Sequence, residues 1–203
     1  MAIFESGYLT VARVRRAPVR IHWTAPLGAL FMSGFAIVPG FWLGFFVVII
    51  LHELGHAVLV RTQGFHVASV DVHALGGVCR WSGYASEKQH AIIAWGGVLA
   101  QMVLLVGAVV VRIFAPPHGV FLDQLLDACI RWNALIAALN LIPIPPFDGA
   151  HAWKILRYLR LPRRSPRPPS SGDHEPTDIR TEIDKALRSA REEARKSRDK
   201  TVH

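Results

Sequence analysis

Ile49-Ile50-Leu51-His52-Glu53-Leu54-Gly55-His56-Ala57-Val58-Leu59 is an apolar run that carries His-Glu-x-x-His. On a helix, side chains four residues apart lie on one face, one turn above each other. Two neutral imidazoles so placed can share one tetrahedral zinc, and an adjacent glutamate can take a proton from water at the metal. Three ionisable groups in so apolar a setting are costly, which marks His52, Glu53 and His56 as a site rather than as packing. The motif alone is weak, since a chain of this composition acquires it by chance in roughly two per cent of shufflings. Its surroundings have to carry the rest.

Those surroundings read as membrane. The chain has 203 residues, 51% of them apolar, with a net charge of +8. The two properties separate along the sequence. Apolar residues concentrate between Trp23 and Ile144, while more than half of the Lys and Arg lie from Arg157 onward. This predicts a membrane domain over 1–160 and a basic, Pro-rich linker with a partly helical cytoplasmic tail over 161–203. Cys79 and Cys129 show no ligand-like spacing and read as two reduced thiols. The tail's charge comes without a recognition motif, so no nucleic acid is expected as a partner. The bilayer is.

The fold class expected is an all-α polytopic membrane protein of about four transmembrane helices, with a small membrane-surface β-hairpin or sheet and a charged tail. The first apolar stretch, 23–38, is short for the ~20 residues a span needs. Pro39-Gly40 makes a turn, and 41–60 forms the second span. Residues 64–86 partly alternate around Gly76-Gly77 and read as the hairpin. Residues 91–111 form a third span, in which Gly96 and Gly97 permit close helix packing. The fourth, about 121–144, ends where Pro143, Pro145 and Pro146 stop regular helix. Irregular backbone at membrane depth is tolerated only against protein or a wet cavity, and Asp148-Gly149 lies just there. Lys and Arg alternate across the loops so that both termini fall in the cytoplasm. The tail from Thr177 to Lys200 reads as a solvated charged helix with a thin apolar stripe.

His52-Glu53-Leu54-Gly55-His56, together with Asn140-Leu141-Ile142-Pro143-Ile144-Pro145-Pro146-Phe147-Asp148-Gly149, resembles the site-2 protease family of intramembrane zinc metalloproteases. The likeness covers about residues 18–160 and is to compact bacterial members without PDZ or CBS domains. It implies one Zn2+ held by His52, His56 and Asp148, Glu53 as the catalytic base, and Asn140 as a group binding substrate or intermediate. It implies hydrolysis of a peptide bond in or near the transmembrane segment of another membrane protein, in a prokaryotic cytoplasmic membrane. The edge of the 65–82 hairpin would pair with the unwound substrate. Gly96-Gly97-Val98-Leu99-Ala100-Gln101 departs from the family, which often has Gly-Pro and Asn there, so Gln101 inherits no role. The alternative expectation is a metal-binding membrane regulator that keeps the ligands without turnover.

Overall fold

The structure is a computed structural model that describes residues 4–5, 7–114, 119–160 and 179–199. Two compact units divide it, Met1–Leu161 and Pro162–His203. His118, the turn at 116–118 and the Pro-rich stretch before the tail helix lie outside the described residues.

The first unit begins with a sheet larger than the hairpin expected. Strands β1 (Phe4–Glu5), β2 (Tyr8–Val14), β3 (Ala17–His22), β4 (His66–His73) and β5 (Gly76–Ser82) lie side by side in chain order. All neighbours are antiparallel except β3 and β4, which run parallel with Val19 opposite Val70 and Ile21 opposite Val72. The unit is therefore helical with a five-stranded mixed sheet, and all-α describes it incompletely. The N-terminal strands hid because their turn lacks the usual signal. Val14 pairs with Ala17, so Arg15-Arg16 forms a two-residue hairpin loop with φ of 45° and 76°. Such loops favour Asn-Gly, and two arginines there are strained.

Helix α1 (Ala25–Met32) is only eight residues. At 1.5 Å per residue it covers about 12 Å, less than half of a ~30 Å hydrocarbon core. The stretch 23–38 is thus not one spanning helix. It stops early because Ser33-Gly34-Phe35 closes it. Gly34 N–H donates to the Phe31 carbonyl and Phe35 N–H to that of Leu30, with Gly34 at φ 68°. This is the Schellman pattern, in which a left-handed glycine absorbs the last carbonyls.

Helices α2 (Pro39–Thr62) and α3 (Glu87–Phe114) are long and apolar enough to cross a membrane. They touch backbone to backbone where Gly55 meets Gly96, since a Cβ on either would strike the other's carbonyl. Small residues at such a crossing let two helix axes approach closely. The third helical segment runs through α4 (Val120–Asp127), a five-residue π-turn (Ala128–Trp132) and α5 (Asn133–Asn140). Regular helix ends at Asn140, before the first proline, and Leu141 to Phe147 is irregular. Short helices α6 (Gly149–Ala152) and α7 (Ile155–Arg160) follow.

Two apolar clusters fix the site's frame. Val19, Val67 and Val70 of the sheet pack with Ala57, Val60 and Ile93 from α2 and α3. Phe41, Phe45 and Ile49 of α2 pack with Ala25 and Ala29 of α1, Val72 of β4 and Ala128. The second unit contributes α8 (Ile179–Asp199), on which Ile183 and Leu187 are exposed.

Candidate metal centre

The site is built on the inward face of α2. His52, Glu53 and His56 are all buried there. Nε2 of His52 and Nε2 of His56 are 3.0 Å apart. Oδ2 of Asp148 lies 3.0 Å from the first and 3.1 Å from the second. The three donors form a nearly equilateral triangle, close to the ~3.3 Å edge of a tetrahedron whose ligand bonds are about 2.0–2.1 Å.

The far nitrogens decide what that triangle can hold. His56 Nδ1 donates to the Ile93 carbonyl of α3 at 2.9 Å. His52 Nδ1 donates to Oε1 of Gln101, also on α3, at 2.9 Å. With Nδ1 carrying the proton in each neutral ring, both Nε2 atoms present lone pairs to each other and to a carboxylate. Three acceptors facing one point need a cation between them. The donor set, two imidazoles and one carboxylate with a second carboxylate beside it, suits zinc and leaves a tetrahedral position for water. The residues present therefore fit a metal.

Two glycines make the room. A Cβ on Gly97 would run into the His52 ring, and one on Gly77 would run into the Glu53 side chain. Strand β5 thus lies directly over Glu53, whose carboxyl is hydrogen-bonded to the Cys79 backbone. Cys79 is a free thiol whose pKa is pushed up to about 12, by burial first and then by the Glu53 charge.

Asp148 arrives from the proline-rich break and stands at the N-cap position of α6. Two tryptophans hold that break in place. Trp153 Nε1 donates to the Leu141 carbonyl at 2.6 Å, and Trp95 Nε1 of α3 donates to the Ala152 carbonyl at 3.0 Å. The two rings meet edge to face, 5.6 Å between centroids. A cavity of about 730 Å3 opens over the centre. His52, Glu53, His56, Asp148 and Asn140 line it, together with Gly77 of β5. Asn140 is therefore placed at the site without touching the three donors.

Gln101 is the site residue to which sequence reasoning gave no role. It is completely buried, and its backbone carbonyl accepts from Asn133 Nδ2 at 2.8 Å. A lone glutamine on an apolar helix belongs to no motif. Its polarity within the 91–111 run was the only available signal.

A helix bearing His-x-x-x-His, closed by an aspartate from a broken helix end and overlain by a small sheet, makes a candidate metal centre. The chain carries the site-2 protease fold and is related in sequence to curated zinc metalloproteases. A site-2 protease from Methanocaldococcus jannaschii superposes with a TM-score of 0.58 at 21% identity, over 77% of this chain and 74% of that one. A zinc metalloprotease of the same organism is 25% identical over 72% of this chain and 44% of its own length. The putative zinc metalloprotease Rip3 of Mycobacterium tuberculosis is 30% identical over 52% of this chain and 29% of its own. The chain thus spans less than half the length of these curated relatives. No family model matches it.

Proposed function

We propose that this chain is a zinc-dependent intramembrane endopeptidase that hydrolyses a peptide bond in or near the transmembrane segment of another membrane protein. The observation that carries the reading is the donor triangle of His52, His56 and Asp148, with both Nδ1 protons tied off, beneath an edge strand. Bound there, zinc would acidify a water and polarise a carbonyl, and no more is asked of it.

The chain's own residues do the rest. Glu53, beside His52 and in the same cavity, takes the water proton and returns it to the leaving amine. Asn140, which lines the same cavity, would donate to the substrate carbonyl or the intermediate. Strand β5 is an edge strand, so its outer backbone groups can pair with a substrate drawn from helix into strand. That unwinding is needed because a helix shields its own peptide bonds.

Multi-pass insertion is supported by α2 and α3, the two helices among the described residues long and apolar enough to span. Because β3 pairs with β4, the arginines of residues 13–20 lie on the same side as the 63–86 loop. That side carries the Lys and Arg and is assigned to the cytoplasm of a prokaryotic membrane.

Co-expression with single-span membrane proteins tests the activity. The native chain should cut a susceptible substrate, and Glu53→Gln should lower the rate roughly 10²–10⁴-fold while keeping its zinc. If both forms hold stoichiometric zinc and neither cuts any substrate, the chain is the metal-binding regulator instead.

A further inference from the structure

A second cavity, of about 540 Å3, lies apart from the metal centre. One wall is a stripe of α2 formed by Leu54, Ala57, Val58 and Arg61, spaced as one helix face. Leu54 and Val58 stand about 200° around the helix from His52 and His56, so this face is not the catalytic one. The other wall is the underside of the sheet, with Val19 and Val70. The lining is apolar except at one end, where Arg15 and Arg61 sit together, with Thr62 beside them.

That end is organised around positive charge. Arg61 Nη2 donates to the carbonyls of Val14 and Arg15 at 3.0 and 3.1 Å, which draws its guanidinium against the β2–β3 turn. The turn itself puts Arg15 and Arg16 at positive φ, where Asn-Gly would be relaxed. Among the described residues neither Arg15 nor Arg61 makes an ion pair. Like charges are thus gathered at a strained turn, with no acid paired to Arg15 or Arg61 among the described residues. A volume of this size falls in the ~300–1,000 Å3 range of small-molecule sites. An apolar slot on a spanning helix, ending in these two arginines, matches an acyl chain with an anionic head.

We propose that this cavity binds an anionic phospholipid of the cytoplasmic leaflet, with one acyl chain between α2 and the sheet and the phosphate at Arg15 and Arg61. The inference rests on the membrane placement of α2, and its test reads lipid retention rather than cleavage, so the two can fail separately.

The full chain, purified in mild detergent, is exposed to equal dioleoyl phosphatidylglycerol and dioleoyl phosphatidylcholine and examined by native mass spectrometry. Bound zinc reports that each variant is folded. Phosphatidylglycerol should be retained selectively, and Arg15→Gln with Arg61→Gln should cut its retention about thirtyfold, about fivefold per arginine. Val58→Trp, which fills the slot from an exposed position and spares both charges, should also cut it. Equal retention of the two lipids overturns the proposal, as does unchanged retention in folded variants. Displacement of the lipid by inorganic phosphate alone, or dimer formation through this face, overturns it as well.

Discussion

Oε1 of Gln101 accepts from Nδ1 of His52 at 2.9 Å, so a residue of α3 sets which nitrogen of the α2 histidine faces the other donors. The relationship is costly, because Gln101 Nε2 is buried without a partner among the described residues. What the contact supplies is the orientation of the His52 ring. Partners of this kind fix a ligand's tautomer and ring angle.

Gln101→Met keeps the volume and removes the acceptor. Zinc affinity should fall roughly 10–100-fold, the usual cost of losing such a partner. Thermal stability of the metal-free protein should change by no more than about 1 kcal/mol, since the orphaned amide is gone but the buried His52 Nδ1–H loses its acceptor. Competition with a chromophoric chelator measures the first and a melting curve the second. A loss of stability with unchanged zinc affinity would give Gln101 a packing role only.

Asp148→Ala should abolish stoichiometric zinc binding, because it removes one of three donors within 3.1 Å of one another. Asp148→Asn keeps the side chain's shape and removes its charge, which separates ligation from packing at the broken helix end. Metal content by mass spectrometry decides it, and full zinc retention in the alanine variant would falsify ligation by Asp148.

Gly97 and Gly107 sit on the same helix and make a matched pair. A methyl at Gly97 meets the His52 ring, whereas one at Gly107 meets nothing within 4 Å. Gly97→Ala should displace His52 and cost zinc binding and cleavage. Gly107→Ala should be neutral or stabilise by up to ~1 kcal/mol, as alanine replaces glycine in a helix interior. Equal behaviour of the two, measured by zinc content and melting temperature, would mean that the His52 ring has room to move.

The clustering of the candidate ligands was legible because most of its signal is local. His52, Glu53 and His56 share one helix turn, and the prolines announce the break that delivers Asp148. The frame was less legible, for three physical reasons. The β2–β3 turn uses Arg15-Arg16 where a glycine would have signalled a hairpin. The parallel pairing of β3 with β4 joins segments distant in sequence, as Val19 and Val70 show, and no local pattern encodes it. The Ser33-Gly34 stop of α1 was readable in principle, but the apolar residues continuing to Val38 masked it. Gln101 offered only its polarity in an apolar run, and its contact with His52 depends on how two distant helices cross.

Asp71 gives the sheet a pH dependence of known sign. It lies fully buried on β4, between the strands on either side. Arg20 of β3 grips it with two bonds of 2.7 and 2.8 Å, Arg80 of β5 reaches it at 2.9 Å, and Ser69 adds a third partner at 3.1 Å. Burial pushes the carboxyl up, but the Arg20 guanidinium beside it, with Ser69 and Arg80, holds it below the usual carboxylate range. A carboxyl whose folded pKa is lowered stabilises fully above its unfolded pKa, and that contribution fades as pH falls through the folded value. Asp71→Asn should therefore cost about 3 kcal/mol at neutral pH, the low end for breaking a buried pair because Arg80 is mostly exposed. The difference in melting temperature between native and variant chains should be flat from about pH 7 to 5. It should shrink below about pH 4, where the unfolded carboxyl begins to protonate. A difference that instead grew on acidification would mean that Asp71 is held neutral in the folded sheet.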